Sequence, residues 1–245
     1  MINYKWIKHI VNEVIFLFRL LNNQLKNIWW DRLHNVSTSG LKKIDKQDVK
    51  SKHNNGSCFF ESSGAAIFKD IIVHLNIDYS AYHFIDIGAG KGRVLLMALE
   101  LPFKKITGIE FAGKLIEIAN KNITCFSNLN QRCFSVECIE MDAFEYDFPD
   151  DNSVIYLFNP FNSILFDKFL DKLITSLQEN GKECFIVYLA PMSIHSDIIE
   201  NKSLFKTYYK KKGFDGFDTY SIYKFSTNQN SAIRTAKKMV SRIVS

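Results

Sequence analysis

His83-Phe84-Ile85-Asp86-Ile87-Gly88-Ala89-Gly90-Lys91-Gly92-Arg93 is the stretch on which the reading of this chain turns. A short apolar run ends in an acid. A turn with three glycines in five residues follows, and then an apolar-periodic segment from Val94 to Leu101. That order reads as strand, tight turn and helix. Glycine is needed where φ is positive or where a ligand lies against bare backbone. The helix behind such a turn aims its free N–H groups and the positive end of its dipole back at it.

Two ligand classes use a turn of this kind. Dinucleotide folds require G-x-G-x-x-G, with the pyrophosphate on the helix N-terminus. Here Arg93 stands where the third glycine is needed, which disfavours a nicotinamide-dependent oxidoreductase. The glycines instead read D-x-G-x-G-x-G, counted from Asp86.

Working outward, Ala65 to Leu75 reads as a helix that Ser62 or Ser63 could cap. Lys105 to Phe111 is a second buried strand, with Glu110 near its tip, and Ala112 to Phe126 is a crossover helix. Phe134 to Ile139 alternates as a third strand and ends at Glu140-Met141-Asp142-Ala143-Phe144. Ser153 to Phe158 is a fully apolar fourth strand that opens onto Asn159-Pro160-Phe161-Asn162. Ile164 to Leu177 is a helix stopped by Asn180-Gly181. Glu183 to Leu189 is a fifth strand, and Phe205 to Lys210 and Thr219 to Phe225 form a closing pair.

Strand then helix, five times over, followed by a strand pair, predicts a doubly wound α/β fold. Its sheet is mostly parallel and seven-stranded, with helices on both faces. Right-handed crossovers put the ends of strands one to four on one edge, where open α/β sheets bind ligands. Asp86, Gly88, Glu110, Asp142 and Asn159 each follow a strand, so they share that edge.

These landmarks resemble motifs I to IV of the class I S-adenosylmethionine-dependent methyltransferases, over residues 59–226. The resemblance is closest to small bacterial enzymes with a G-x-G-K-G-R loop and an N-P-F motif. It is distantly similar to histone-lysine methyltransferases of the non-SET kind. It implies S-adenosyl-L-methionine as cofactor and S-adenosyl-L-homocysteine as product. It assigns cofactor contacts to Asp86, Gly88, Ala89, Gly90, Gly92, Arg93, Glu110, Phe111, Asp142, Ala143 and Asn159. Asp86 and the glycines would hold the amino-acid end, Glu110 the ribose hydroxyls, Asp142 the adenine amino group, and Met141 or Ala143 the ring face. Asn159, Pro160 and Phe161 resemble the N-P-P-Y/F signature of nitrogen methylation, with one proline missing. In that signature the Asn oxygen accepts from the acceptor N–H and the aromatic ring stacks on it. A protein amine or amide-like nitrogen is the acceptor implied, and its identity stays open. The segment Phe59 to Ser63 could fold over the cofactor, or serve as an ordinary helix cap.

The chain has 245 residues, enough for one good core. It divides into residues 1–57 (helix and polar linker), 58–226 (the cofactor-binding domain) and 227–245 (a basic tail with a helix at Ser231–Val244). None of Cys58, Cys125, Cys133, Cys138 and Cys184 has zinc spacing, and buried reduced thiols in a cytoplasmic protein are expected. His83 and His195 read as structural. The net charge of +5 resides in the ends: residues 1–50 carry nine Lys/Arg against four acids, and residues 227–245 carry four against none. Such ends suit nucleic acid, an anionic membrane surface or plain solvation. Residues 4–33 form an amphipathic helix through Trp6, Ile7, Ile10, Val11, Val14, Phe18, Leu21, Leu25, Ile28 and Trp29. It could pack on the domain or on a second copy, lie in a membrane interface, or grip a partner. The rival to an enzyme is a cofactor-fold module that binds nucleic acid or membrane without catalysis.

Overall fold

The computed structural model describes residues 4–40, 63–213 and 219–226. Helix α1 spans Tyr4–His34 and α2 spans Ala65–Leu75. Strand β1 is Tyr82–Ile87, α3 Arg93–Ala98, β2 Lys105–Glu110, α4 Gly113–Cys125 and β3 Val136–Glu140. Then come β4 at Asn152–Leu157, α5 at Ser163–Asn180, β5 at Cys184–Leu189, α6 at Ser193–Asn201, β6 at Phe205–Lys211 and β7 at Tyr220–Phe225.

The sheet has seven strands in the order β3-β2-β1-β4-β5-β7-β6. Strands β1 to β5 are parallel; β7 runs antiparallel to β5, and β6 antiparallel to β7. The central strands are buried on both faces, as continuous apolar runs require. Phe84, Ile106, Val154, Tyr156 and Phe185 pack against α2, α3 and α4 on one face. Ile85, Ile87, Ile155 and Leu157 pack against α5 and α6 on the other. In register, Asp86 lies opposite Gly108 and Tyr156, and Glu110 opposite Glu140. The tips of the four strands therefore meet along one edge.

Several local expectations need correction. Among the described residues helices follow β1, β2, β4 and β5; β3 returns through residues 141–151, whose Met141, Ala143, Phe144, Tyr146 and Phe148 cover one sheet face in place of a helix. The helix after β1 ends at Ala98. Helix α6 was not legible as an element, because only His195 and Ile199 are buried along it. Gly64 caps α2 without a side-chain bond, and Ser63 instead accepts a hydrogen bond from Tyr156 Oη at 3.1 Å. The start of the polar linker is docked: Ser37 bonds to Asn122, and Thr38 and Ser39 bond to Asp31. The end of α1 packs on the domain through Trp30, Asp31 and His34, while Val11, Val14, Phe18, Leu21, Leu25, Ile28 and Trp29 are exposed. Cys58, Phe59 to Ser62, the linker from residue 41 and the tail helix lie outside the described residues.

Candidate active site

The glycine turn is left-handed backbone held from both sides. Gly88, Gly90 and Gly92 have φ of 81°, 56° and 82°. A Cβ on Gly88 would come within 3.2 Å of Pro160 Cβ, so the turn after β1 abuts the turn after β4 and has no space for a side chain. Gly88 N and Ala89 N both donate to Ile109 O, at 2.8 and 3.0 Å, which fixes the turn to the tip of β2.

Two carboxylates lie beneath it. Asp86 is 4% exposed and Glu110 5% exposed. Glu110 Oε2 accepts from Gly90 N at 2.9 Å, and Oε1 accepts from Ala112 N at 3.0 Å. The backbone N–H of Phe111 pulls on the carboxylate as well, which leaves a lone pair for a further donor. Burial pushes Glu110 above the usual carboxylate range, against the pull of these backbone bonds. Asp86 is pushed up to about 8 by burial and then by the like charge of Glu110. Among the described residues no cation acts on Asp86 to bring it down.

The third and fourth landmarks complete the edge. Asp142 Oδ1 accepts from Phe144 N at 3.0 Å in an Asx turn, and Ala143 is buried beside it. Met141, Asp142 and Phe111 are half-buried at the same rim. Asn159 is exposed with φ of 47°, and its Nδ2 donates to Ala190 O at 2.7 Å. That engages one of the amide's two N–H groups, and its oxygen is an acceptor. Phe161 is half-buried, with ring centroids 5.6 Å from Phe144 and 5.0 Å from Phe169. Part of the ring expected to stack on an acceptor is thus engaged with the core. Asn162 caps α5 by accepting from Leu165 N at 3.0 Å.

Arg93 departs from its expected place at the cofactor. Its side chain is 2% exposed; Nη1 pairs with Asp31 Oδ1 at 3.0 Å and also bonds Thr38 Oγ1, while the guanidinium lies 4.4 Å from the Trp30 ring centre. Burial pulls it down to about 10, with Asp31 holding it up. Lys91 turns the same way, its Nζ donating to Ser39 O and Gly40 O at 2.7 and 3.1 Å. Asn122 ties Lys91 O to Ser37. These residues form a clamp between the back of the glycine turn and residues 27–40. Asp31, Thr38 and Asn122 carry no motif, and the sequence held no signal for them. His83 and His195 are core histidines, bonded to Thr107 and to Tyr188. Among the described residues no group of His, Cys, Asp and Glu could hold a metal ion.

The family model "Histone methylation protein DOT1" matches residues 47–238, well over half of the chain. Solved structures similar to it include a SAM-dependent methyltransferase from Leishmania major, with a TM-score of 0.49 and 15% identity, covering 66% of this chain and 72% of that one. An RNA methyltransferase from Salinibacter ruber in complex with S-adenosyl-L-homocysteine has a TM-score of 0.46 and 17% identity, over 68% of this chain and 94% of that one. A SAM-dependent methyltransferase from Methanosarcina mazei has a TM-score of 0.46 and 13% identity, over 63% and 97%. No curated protein matches the chain in sequence.

Proposed function

This chain belongs to the histone methylation protein DOT1 family, and from that premise we propose that it is an S-adenosylmethionine-dependent methyltransferase acting on a nitrogen. The observation that carries the proposal is the pair of buried carboxylates, Asp86 and Glu110, beneath the glycine turn, with no cation facing Asp86 among the described residues. A buried acid without a cationic partner costs stability unless a ligand completes it. The cofactor's ammonium and ribose hydroxyls are donors of the kind that this set lacks, so the residues present fit the group.

Asp86 and the Gly88–Gly92 turn would hold the amino-acid end, Glu110 the ribose, and the rim from Met141 to Ala143 the adenine. Ala89, Phe111 and the side-chain-free backbone of Gly90 line the same turn and rim. When bound, the cofactor supplies a methyl group on a positively charged sulfur, reactive enough that alignment is the protein's main task. Asn159 orients the acceptor: with its amide nitrogen fixed on Ala190 O, its oxygen accepts an N–H and turns the nitrogen lone pair toward the methyl position. Pro160, packed against Gly88, sets the distance between the two turns. The family's name and the Asn159 amide favour a protein amine as acceptor.

Titration with S-adenosylmethionine tests this reading. Binding is expected in the micromolar range, and Glu110→Ala should weaken it at least 100-fold, because the backbone bonds from Gly90 and Ala112 go with it, each worth about 1.5–3 kcal/mol when the acceptor is charged. Asn159→Ala should lower turnover on a responsive amine acceptor about tenfold or more while changing cofactor affinity less than threefold. Binding of NAD alone, or equal losses in both Asn159→Ala measurements, would contradict it.

A further inference from the structure

Helix α1 runs for 31 residues, about 45 Å at the usual rise. Its junction with the domain lies at its end: Trp30 stacks with His34 and Phe126, and Asp31 takes the Arg93 pair. Residues 21 to 26, just before it, are all exposed. Val11, Val14, Phe18, Leu21, Leu25, Ile28 and Trp29 are 41–70% exposed. At about 100° per residue they fall within one arc of about 100°, on the side opposite Trp30, Asp31 and His34. The domain therefore cannot cover this stripe in the orientation that the clamp fixes.

We propose that this stripe seats α1 in the interface of an anionic lipid bilayer. Charge chooses the occupant. Residues 4–34 carry Lys5, Lys8, Arg19, Lys26 and Arg32 against Glu13 and Asp31, and Asp31 is already buried against Arg93. A second copy laid along the stripe would bring like charges together, with almost no acid to offset them. Nucleic acid would answer the cations and leave the apolar arc in water. An anionic membrane answers both, with apolar side chains at the acyl boundary and cations among the headgroups. No described helix is long and apolar enough to cross a membrane, so α1 lies in the surface plane. Because the far end of α1 is clamped behind the glycine turn, the bilayer would hold the whole domain in a fixed attitude. This inference does not depend on the proposed chemistry.

The test is sedimentation of the full chain with vesicles of phosphatidylcholine alone or with 30% phosphatidylglycerol (about that fraction gives a strong surface charge). Partition onto the anionic vesicles is expected to be at least tenfold stronger, and to fall at least tenfold in the triple variant Phe18→Glu, Leu21→Glu, Leu25→Glu. Since these side chains are 60–70% exposed, the thermal melt should not move by more than a few degrees. The proposal is overturned by no partition at all, by partition indifferent to lipid charge, or by full partition of the triple variant. It is equally overturned if the chain elutes as a dimer that the triple variant breaks while vesicles stay unbound, or if a short RNA binds and vesicles do not.

Discussion

Two sets of buried charge flank one glycine turn, and the fold treats them in opposite ways. Behind the turn, Arg93 meets Asp31 at 3.0 Å, bonds Thr38 and lies on the Trp30 ring. In front of it, the one charge that acts on Asp86 among the described residues is the like charge of Glu110, and both are driven up by burial. One set has its counter-charge within the chain, although Arg93 Nε and Nη2 are buried without a hydrogen-bond partner among the described residues. The other has no counter-charge among the described residues. The difference separates structure from function more cleanly than burial does, since all four side chains are almost fully enclosed.

The comparison breaks hardest at the clamp. Asp31→Ala leaves the Arg93 guanidinium buried without its partner and should cost about 3–5 kcal/mol of stability, read by denaturant unfolding. Asp31→Leu combined with Arg93→Met should recover most of that loss. Failure of the single substitution to destabilise the protein would mean that the clamp is incidental.

How far the sequence foretold each side follows from where its partners lie. Asp86 and Glu110 sit at the tips of neighbouring parallel strands, so apolar periodicity plus right-handed crossovers brought them together. The sheet order followed for the same reason. Arg93 was misplaced because its partner stands 62 residues away, on a helix that carries no motif. Chain pattern does not say which way a side chain turns after a glycine. Helix α6 escaped notice because two buried residues make too thin a stripe. The stripe on α1 was legible as amphipathic, but the side it faces depends on the Asp31–Arg93 contact.

A smaller effect sharpens the other side. Asp86 holds its proton more tightly folded, near 8, than its ordinary value of 3.8. The ligand-free protein should therefore lose stability as pH rises from about 4 to about 8. Asp86→Asn removes that loss. It should raise ligand-free stability by ~1–3 kcal/mol at pH 8, with little change at pH 4, while weakening cofactor binding. Thermal melts at the two pH values give the answer. A variant less stable than the parent at pH 8 would show that Asp86 is a structural group after all.

Cofactor binding near pH 7, measured by calorimetry in two buffers of different ionisation enthalpy, tests the central claim most directly. If the ammonium of S-adenosylmethionine supplies the cation that Asp86 lacks, binding should release up to about one proton, and Asp86→Asn should abolish the release. Binding without proton exchange, or no heat of binding at all, would contradict the account.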